Sequence, residues 1–378
     1  MFSLFISYRI IDGITVSGNR WTSTDYILKY CGVKVGDTLT DSTLTAVKRR
    51  LWQLGLFRGV EVWYDAGTLR VEVKEAWYIY PFPYISVSTV EVAYGAGIQD
   101  INFRGRGENA YVLVTYGDRR TFMVGWSTPT HRMVREVLSV EGGKEFYRSQ
   151  LYRMPIDRYF LNLKFRSALE GPWRLKMRVL LGEVVSDSSH LLYRREGDRF
   201  LGVETSIYRD TRDWENYPKR GYLMKADFTS YSGDFAAWVY GGDYEGFFTA
   251  GKITFVPYVS FRGTFGELPL YLRLPLVGTS EIVRGSYPAT RILGSRRLVL
   301  SGEVRYLTFE RFPDPLGRIV EGGAAAVLFA DAGTVDTLRA AVFGVGAVAY
   351  TPFGSFTGLI GYGTGGLNLF FGESRRIW

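Results

Sequence analysis

Two different spacings of apolar and polar residues divide this chain. Up to about residue 76 the spacing alternates between strand and helix periods. Arg9–Val16 alternates loosely and ends at the turn pair Gly18-Asn19. Ser23-Thr24-Asp25 precedes Tyr26–Tyr30, which predicts a short helix, because such side-chain oxygens accept from the free N–H groups of a first turn. Val35-Gly36-Asp37 reads as a turn. Leu44, Val47, Leu51 and Leu54 recur at the helical period, so a second helix runs from a Thr40 or Asp41 cap to Leu54, with Gly55 where helices commonly stop. Val60–Tyr64 and Leu69–Val73 alternate on either side of Asp65-Ala66-Gly67, a hairpin pattern. The order β-α-α-β-β predicts one small α+β domain over residues 1–77.

From Tyr78 onward the helical period is gone. Trp173, Leu175, Met177, Val179 and Leu181 share one face of a strand, with Arg174, Lys176 and Arg178 on the other. Leu161, Leu163 and Phe165 oppose Asn162, Lys164 and Arg166 in the same way. Two neighbouring strands that each set large apolar residues against basic ones predict a membrane barrel with a polar lumen. A soluble sandwich with one solvated face is the competing architecture. No run approaches the roughly 18 apolar residues of a spanning helix, and only helices and closed barrels satisfy their backbone in lipid. About sixteen such strands fit residues 78–378, an even number of the bacterial kind.

Composition agrees. Aromatic residues make up 16% of the chain and Gly contributes 44 residues, as many strands and tight turns require. Mean hydropathy is −0.03, a soluble-looking value that alternation produces on its own. The net charge of +8 is spread along the strands rather than gathered in one patch, which argues against a nucleic-acid partner. A lone Cys31 excludes an internal disulfide. The opening MFSLFISYRI, with no basic n-region and no small-residue cleavage site, is too little for a secretory leader.

Catalytic chemistry is not legible. The chain has no G-x-x-x-x-G-K-[ST] nucleotide loop and no G-x-S-x-G elbow, and Gly95-Ala96-Gly97 opens no helix. His131 and His190 lack ligand-spaced neighbours. The carboxylates of Arg209-Asp210-Thr211-Arg212-Asp213 are flanked by arginines and read as a charge network. No enzyme, metal or cofactor is expected.

IDGITVSGN, VGDTLT, RRLWQLGLFRGVEV and LRVEVKE together resemble a POTRA domain, the periplasmic module of outer-membrane assembly and secretion proteins. Four further stretches resemble the barrel of the BamA-type assembly and translocation superfamily, the bacterial surface antigen barrel. Asp100-Ile101-Asn102-Phe103 with Gly105-Arg106-Gly107 is similar to its D-x-N-x-x-G-x-G after the first barrel strand. Tyr208–Asp213 with Pro218-Lys219-Arg220-Gly221 is similar to its mid-barrel D-T-R-D…P-x-x-G. Val283-Arg284-Gly285-Ser286-Tyr287 is similar to the V-R-G-[FY] of its sixth surface loop, and Phe329-Ala330-Asp331-Ala332-Gly333 to F-x-D-x-G. The chain departs from the pattern at Ser286, which takes the usual aromatic position, and at SRRI before the terminal Trp378.

The Arg-Gly stretch lies in a long connection between strands, an uncommon and usually functional feature. Arg284, carried into a confined lumen, needs carboxylate partners. Strand parity puts Val299, Ser301, Glu303 and Arg305 on one face and pairs Phe329 with Asp331 on the next strand. If those faces line the lumen, Glu303 and Asp331, with Phe329 beside them, can hold Arg284, and the resemblance supports an Arg–Asp contact. A weak seam is expected between the first barrel strand, near Val87–Ala93, and a short Gly-rich last strand, near Leu367–Phe371.

The resemblance implies an outer-membrane insertase or polypeptide transporter with its POTRA domain in the periplasm of a bacterial or organellar outer membrane. Its partners would be unfolded outer-membrane or secreted client polypeptides, the lipid bilayer and accessory periplasmic proteins. It would work by POTRA capture and lateral opening of the seam, without nucleotide. The alternatives are a two-partner-secretion exporter, which usually carries two POTRA domains and a plug helix not visible here, and a passive diffusion porin.

Overall fold

The computed structural model describes residues 9–88, 92–129, 136–149, 154–187, 193–194, 196–213, 217–275, 277–278, 283–284, 293–313, 319–351, 354–363 and 366–373. The N-terminal elements are β1 (Arg9–Ile10), β2 (Gly13–Ser17), α1 (Thr24–Cys31), β3 (Thr38–Leu39), α2 (Asp41–Trp52), β4 (Phe57–Asp65) and β5 (Thr68–Glu75). The one loose strand expected over Arg9–Val16 is two, because Ile11 turns inward to full burial and its N–H bonds to the Asp37 carbonyl. Ser23 caps α1 by accepting from the Tyr26 N–H, and Gly32 ends the helix with φ 68°. Thr40 caps α2 in a reciprocal box with Thr43. The second helix stops at Trp52, short of Leu54, whose N–H bonds tightly back to the Leu51 carbonyl. β5 lies between parallel β2 and antiparallel β4, and the helices cover the sheet through Ile27, Val47, Leu51, Leu69 and Val71. Burial among them raises the Cys31 thiol to about 11, against the opposing pull of Arg50.

Sixteen antiparallel strands follow. They begin with β6 (Ile79–Ser88), β7 (Val92–Phe103), β8 (Glu108–Gly117), β9 (Arg119–Ser127), β10 (Glu136–Ser149) and β11 (Met154–Ala168). Next come β12 (Trp173–Val185), β13 (Asp198–Asp210), β14 (Gly221–Gly233), β15 (Ala237–Ala250) and β16 (Ile253–Gly266). Four two-residue strands interrupt the order: β17 (Leu274–Pro275), β18 (Val277–Gly278), β19 (Val283–Arg284) and β20 (Leu293–Gly294). The wall resumes with β21 (Arg296–Pro313), β22 (Ile319–Val335), β23 (Leu338–Thr351), β24 (Gly354–Gly363) and β25 (Gly366–Glu373), and β25 closes it against β6.

Parity along the wall is regular. Met177, Leu181 and Leu163 point outward and stay exposed. Lys164 lies opposite Arg178, and Arg178 opposite Glu204, all facing inward. Basic stripes on adjacent strands would repel one another, and inward carboxylates relieve this: Glu204 holds Arg178 at 2.6 Å and Glu141 holds Lys164 at 2.5 Å.

The chain falls into two compact units. One comprises Met1–Phe82, Ala96–Leu113 and Val124–Ser139, and the other Pro83–Gly95, Val114–Met123 and Val140–Trp378. Within the first unit the turn between β7 and β8 meets the start of α1. Glu75 accepts from the Trp21 and Thr22 N–H groups, the Thr22 hydroxyl accepts from the buried Asn102 side-chain Nδ2 at 2.9 Å, and Asn102 Oδ1 accepts from the Gly107 N–H at 2.8 Å. Gly105 has φ 69°, and a Cβ there would lie 2.0 Å from the Trp21 carbonyl oxygen, so only Gly fits. Burial alone would raise the Glu75 carboxyl, but the backbone donors of Thr22 and Trp21 outweigh it and hold the group below the usual carboxylate range. This turn follows the second barrel strand, not the first, because the barrel already begins at Ile79.

Candidate functional site

The connection from β16 to β21 folds back on itself in its described parts. β17 pairs with β20, and β18 lies parallel to β19, with Gly278 opposite Arg284. Val283 enters an apolar cluster with Val299, Val327 and Phe329 from the inward faces of β21 and β22. Arg284 follows it to 6% exposure.

A charge so buried needs partners, and each of the three guanidinium nitrogens of Arg284 finds one. Its Nε donates to Asp331 Oδ2 at 2.7 Å and its Nη2 to Asp331 Oδ1 at 2.6 Å, a two-pronged fork on one carboxylate. Its own backbone N–H adds a third bond to Asp331 at 3.0 Å. Nη1 donates to Glu303 Oε1 at 2.6 Å, and the guanidinium carbon sits 4.0 Å from the centre of the Phe329 ring. Glu303 also holds Arg305 at 2.7 Å, and the Ser301 hydroxyl bridges Asp331 and Arg284. Two cations therefore balance two carboxylates.

The acceptors stand together because of one register. Ser301 lies opposite Asp331 and Glu303 opposite Phe329 across β21 and β22, so four inward side chains form a single patch. Glu303, Phe329 and Asp331 are the three partners that parity assigned to Arg284, and all three meet it. Gly285, Ser286 and Tyr287 lie outside the described residues, as do His131, His190 and Trp378. Ser301 and Arg305, two residues either side of Glu303, carry the same parity signal but were not assigned to this contact.

Tyr217 gave no signal in the sequence. Arg212 clamps Asp210 through two bonds of 2.8 and 2.7 Å, and Asp213 accepts from the Lys219 and Arg220 N–H groups, which tightens the turn between β13 and β14. From that turn Tyr217 reaches full burial and stacks on Tyr350 at 3.9 Å, in the same apolar cluster as Val283.

The seam was expected between Val87–Ala93 and Leu367–Phe371. Val87 and Phe371 do face each other, and Ser88 faces Phe370, but these two pairs are the whole described ladder between β6 and β25. Other described ladders are longer: β24 and β25 share eight pairs, and β12 and β13 twelve. Leu367 pairs with Tyr362 on β24. Ala93 belongs to β7, not to the first barrel strand, which ends at Ser88. The stretch VSTVEVA carries no Gly, Pro, Asn or Asp to mark a turn, so it reads as continuous strand.

The sequence model of the POTRA family, the surface antigen variable number repeat, matches residues 9–76. The sequence matches no curated protein. Among solved structures the chain is similar to BamA from Haemophilus ducreyi lacking POTRA domains 1–3, at 13% identity and a TM-score of 0.76, over 95% of this chain and 82% of that one. It is also similar to CdiB from Acinetobacter baumannii, at 13% identity and TM-score 0.58 over 96% of this chain and 73% of that one. CdiB from Escherichia coli gives 12% identity and TM-score 0.57 over 96% and 88%. At such identities the likeness is one of fold.

Proposed function

We propose that this chain, a POTRA module joined to a BamA-type barrel, is an outer-membrane insertase or polypeptide transporter. An extended client segment adds to an edge of the POTRA sheet, where β2 and β4 are the outer strands. The wall then parts between β25 and β6 and offers its edges to the client, whose own strand pairing drives the step without nucleotide. The apolar outward and charged inward faces suit a bilayer outside and water inside. The Arg284 fork fixes a surface loop in the lumen and so keeps the resting barrel from standing open as a pore.

One observation carries this reading: the described ladder that closes the barrel has two residue pairs, where β24 and β25 share eight and β12 and β13 twelve. Each backbone hydrogen bond contributes only about 0.5–1.5 kcal/mol net, so a short ladder is one that a competing strand can undo. The test is a disulfide between Val87→Cys and Phe371→Cys in a Cys31→Ser background. The oxidised protein is expected to stay folded in proteoliposomes and to stop inserting a small urea-unfolded outer-membrane barrel protein, with recovery on reduction. Undiminished insertion by the locked barrel would end this mechanism and move the reading to export through the lumen, as in a two-partner transporter.

A further inference from the structure

On the outward face of the wall, one arginine has no charged partner among the described residues. Arg209 stands opposite Trp173 on β12 and Met224 on β14, and it shares its parity with Ile207; both Ile207 and Met224 are exposed. Its guanidinium carbon lies 5.7 Å from the centre of the Trp173 ring and 5.5 Å from that of Tyr222, so two aromatic rings hold it in place. Its Nε is buried without a hydrogen-bond partner, and no carboxylate among the described residues pairs with it. Elsewhere on the outward face cations have carboxylates beside them: Lys144 meets Asp157 at 2.9 Å, and Arg199 meets Glu183 at 2.9 Å.

A second cation adjoins the same ring. Arg220, exposed just before β14, lines a groove with Tyr222, Tyr244 and Phe248. Tyr222 and Tyr244 stack at 6.1 Å. Gly246, opposite Tyr222, leaves the space of its missing Cβ to the Tyr244 hydroxyl and the edge of Phe248. Asp213, the carboxylate of this turn, accepts from the backbone N–H groups of Lys219 and Arg220. Among the described residues no carboxylate pairs with the Arg220 side chain either. By antiparallel alternation the turns after β11, β13 and β15 stand at the end of the wall where the chain enters β6. The proposed orientation puts that end at the periplasmic leaflet, where aromatic rings lie at the level of lipid headgroups. An unpaired guanidinium there is costly, and a phosphate accepts its parallel donors as a carboxylate does.

We propose that this face binds one anionic glycerophospholipid of the periplasmic leaflet, its phosphate held by Arg209 and Arg220 and its acyl chains laid against Tyr222, Tyr244 and Phe248. The lipid is anionic rather than zwitterionic because two cations lack carboxylate partners, and no described carboxylate is left to receive a choline or an ammonium group. The inference rests on the reading of the wall as membrane-spanning, and not on the seam or on any client.

The full chain in detergent micelles is titrated with dioleoylphosphatidylglycerol or with dioleoylphosphatidylcholine, and bound lipid is counted by native mass spectrometry. The wild type is expected to hold its first phosphatidylglycerol more tightly than its first phosphatidylcholine. Arg209→Gln and Arg220→Gln should each weaken the phosphatidylglycerol adduct about five-fold, as expected of one cation near a lipid surface, and leave the phosphatidylcholine adduct unchanged. Arg120→Gln removes an outward cation that lies over Phe146 at the opposite end of the wall, and it should change neither. Arg220 is exposed in a turn, so its variant carries the test should Arg209→Gln fold poorly. Equal retention of the two lipids by the wild type, retention unmoved by both variants, or an equal loss in Arg120→Gln overturns the proposal. Displacement of phosphatidylglycerol by inorganic phosphate would mark a free-anion site and overturn it too. No client is present, so the lipid count stands whatever the Val87→Cys/Phe371→Cys lock shows. A chain that stayed dispersed without detergent would instead sink the membrane reading beneath the proposal.

Discussion

Arg284 cannot shed its charge by titrating, so its position depends on its partners. Removing one member of a buried ion pair costs roughly 3–5 kcal/mol, because the remaining charge is left uncompensated. Arg284→Ala and Asp331→Ala should each lower the urea midpoint of the folded barrel, and the double variant should be little worse than either, as expected only for groups that interact. Additive losses would mean that the fork is incidental. Glu75 allows a test with pH. Its folded-state carboxyl lies below the usual value, so its stabilisation is present above about pH 4.3, the unfolded value, and is lost as pH falls through the folded one. Glu75→Gln should speed hydrogen exchange at Trp21 and Thr22 about five-fold at pH 7, a loss of about 1 kcal/mol after allowing for partial exposure. The difference should close as pH falls below the folded-state value and the wild-type carboxyl is protonated as well. A gap that persists at low pH would place the effect in packing rather than charge.

At the scale of elements, alternation was the most legible signal. Met177 points outward and Arg178 inward to Glu204, as the period of two requires. Met177→Arg should impair membrane insertion by about 2–4 kcal/mol if it lies near the midplane, and spin labels at positions 177 and 178 should report lipid and water respectively. The reverse assignment would mean a register shifted by one. Helix starts were legible too, because Ser23 and Thr40 act through their own neighbours. What escaped was decided by distant residues or by missing punctuation. Ala93 was placed on the first strand because nothing between Val87 and Ala93 marks a turn. Tyr217 was missed because its partner, Tyr350, lies on a strand remote in sequence. Glu141 and Glu204 could not be recognised as the neutralisers of the basic stripes without knowing which strands adjoin.

For the whole molecule, the change of period came just past residues 9–76, the stretch that the POTRA model matches, while the compact units do not divide there: Ala96–Leu113 and Val124–Ser139 group with the N-terminal residues, through contacts that no local period reports. The short Gly-rich last strand marked the seam, but the pairing that closes it, Val87 with Phe371 and Ser88 with Phe370, was not legible, because register between strands so distant in sequence is contained in no local pattern. Those two pairs also bear on how the chain folds. Val87 and Phe371 lie near opposite ends of the barrel sequence, so joining them closes the largest loop in the wall and costs the most chain entropy. Every other described strand pairing in the wall joins strands consecutive in it and can form locally. The sheet is therefore expected to grow strand by strand along the chain, with the Val87–Phe371 junction left to form last.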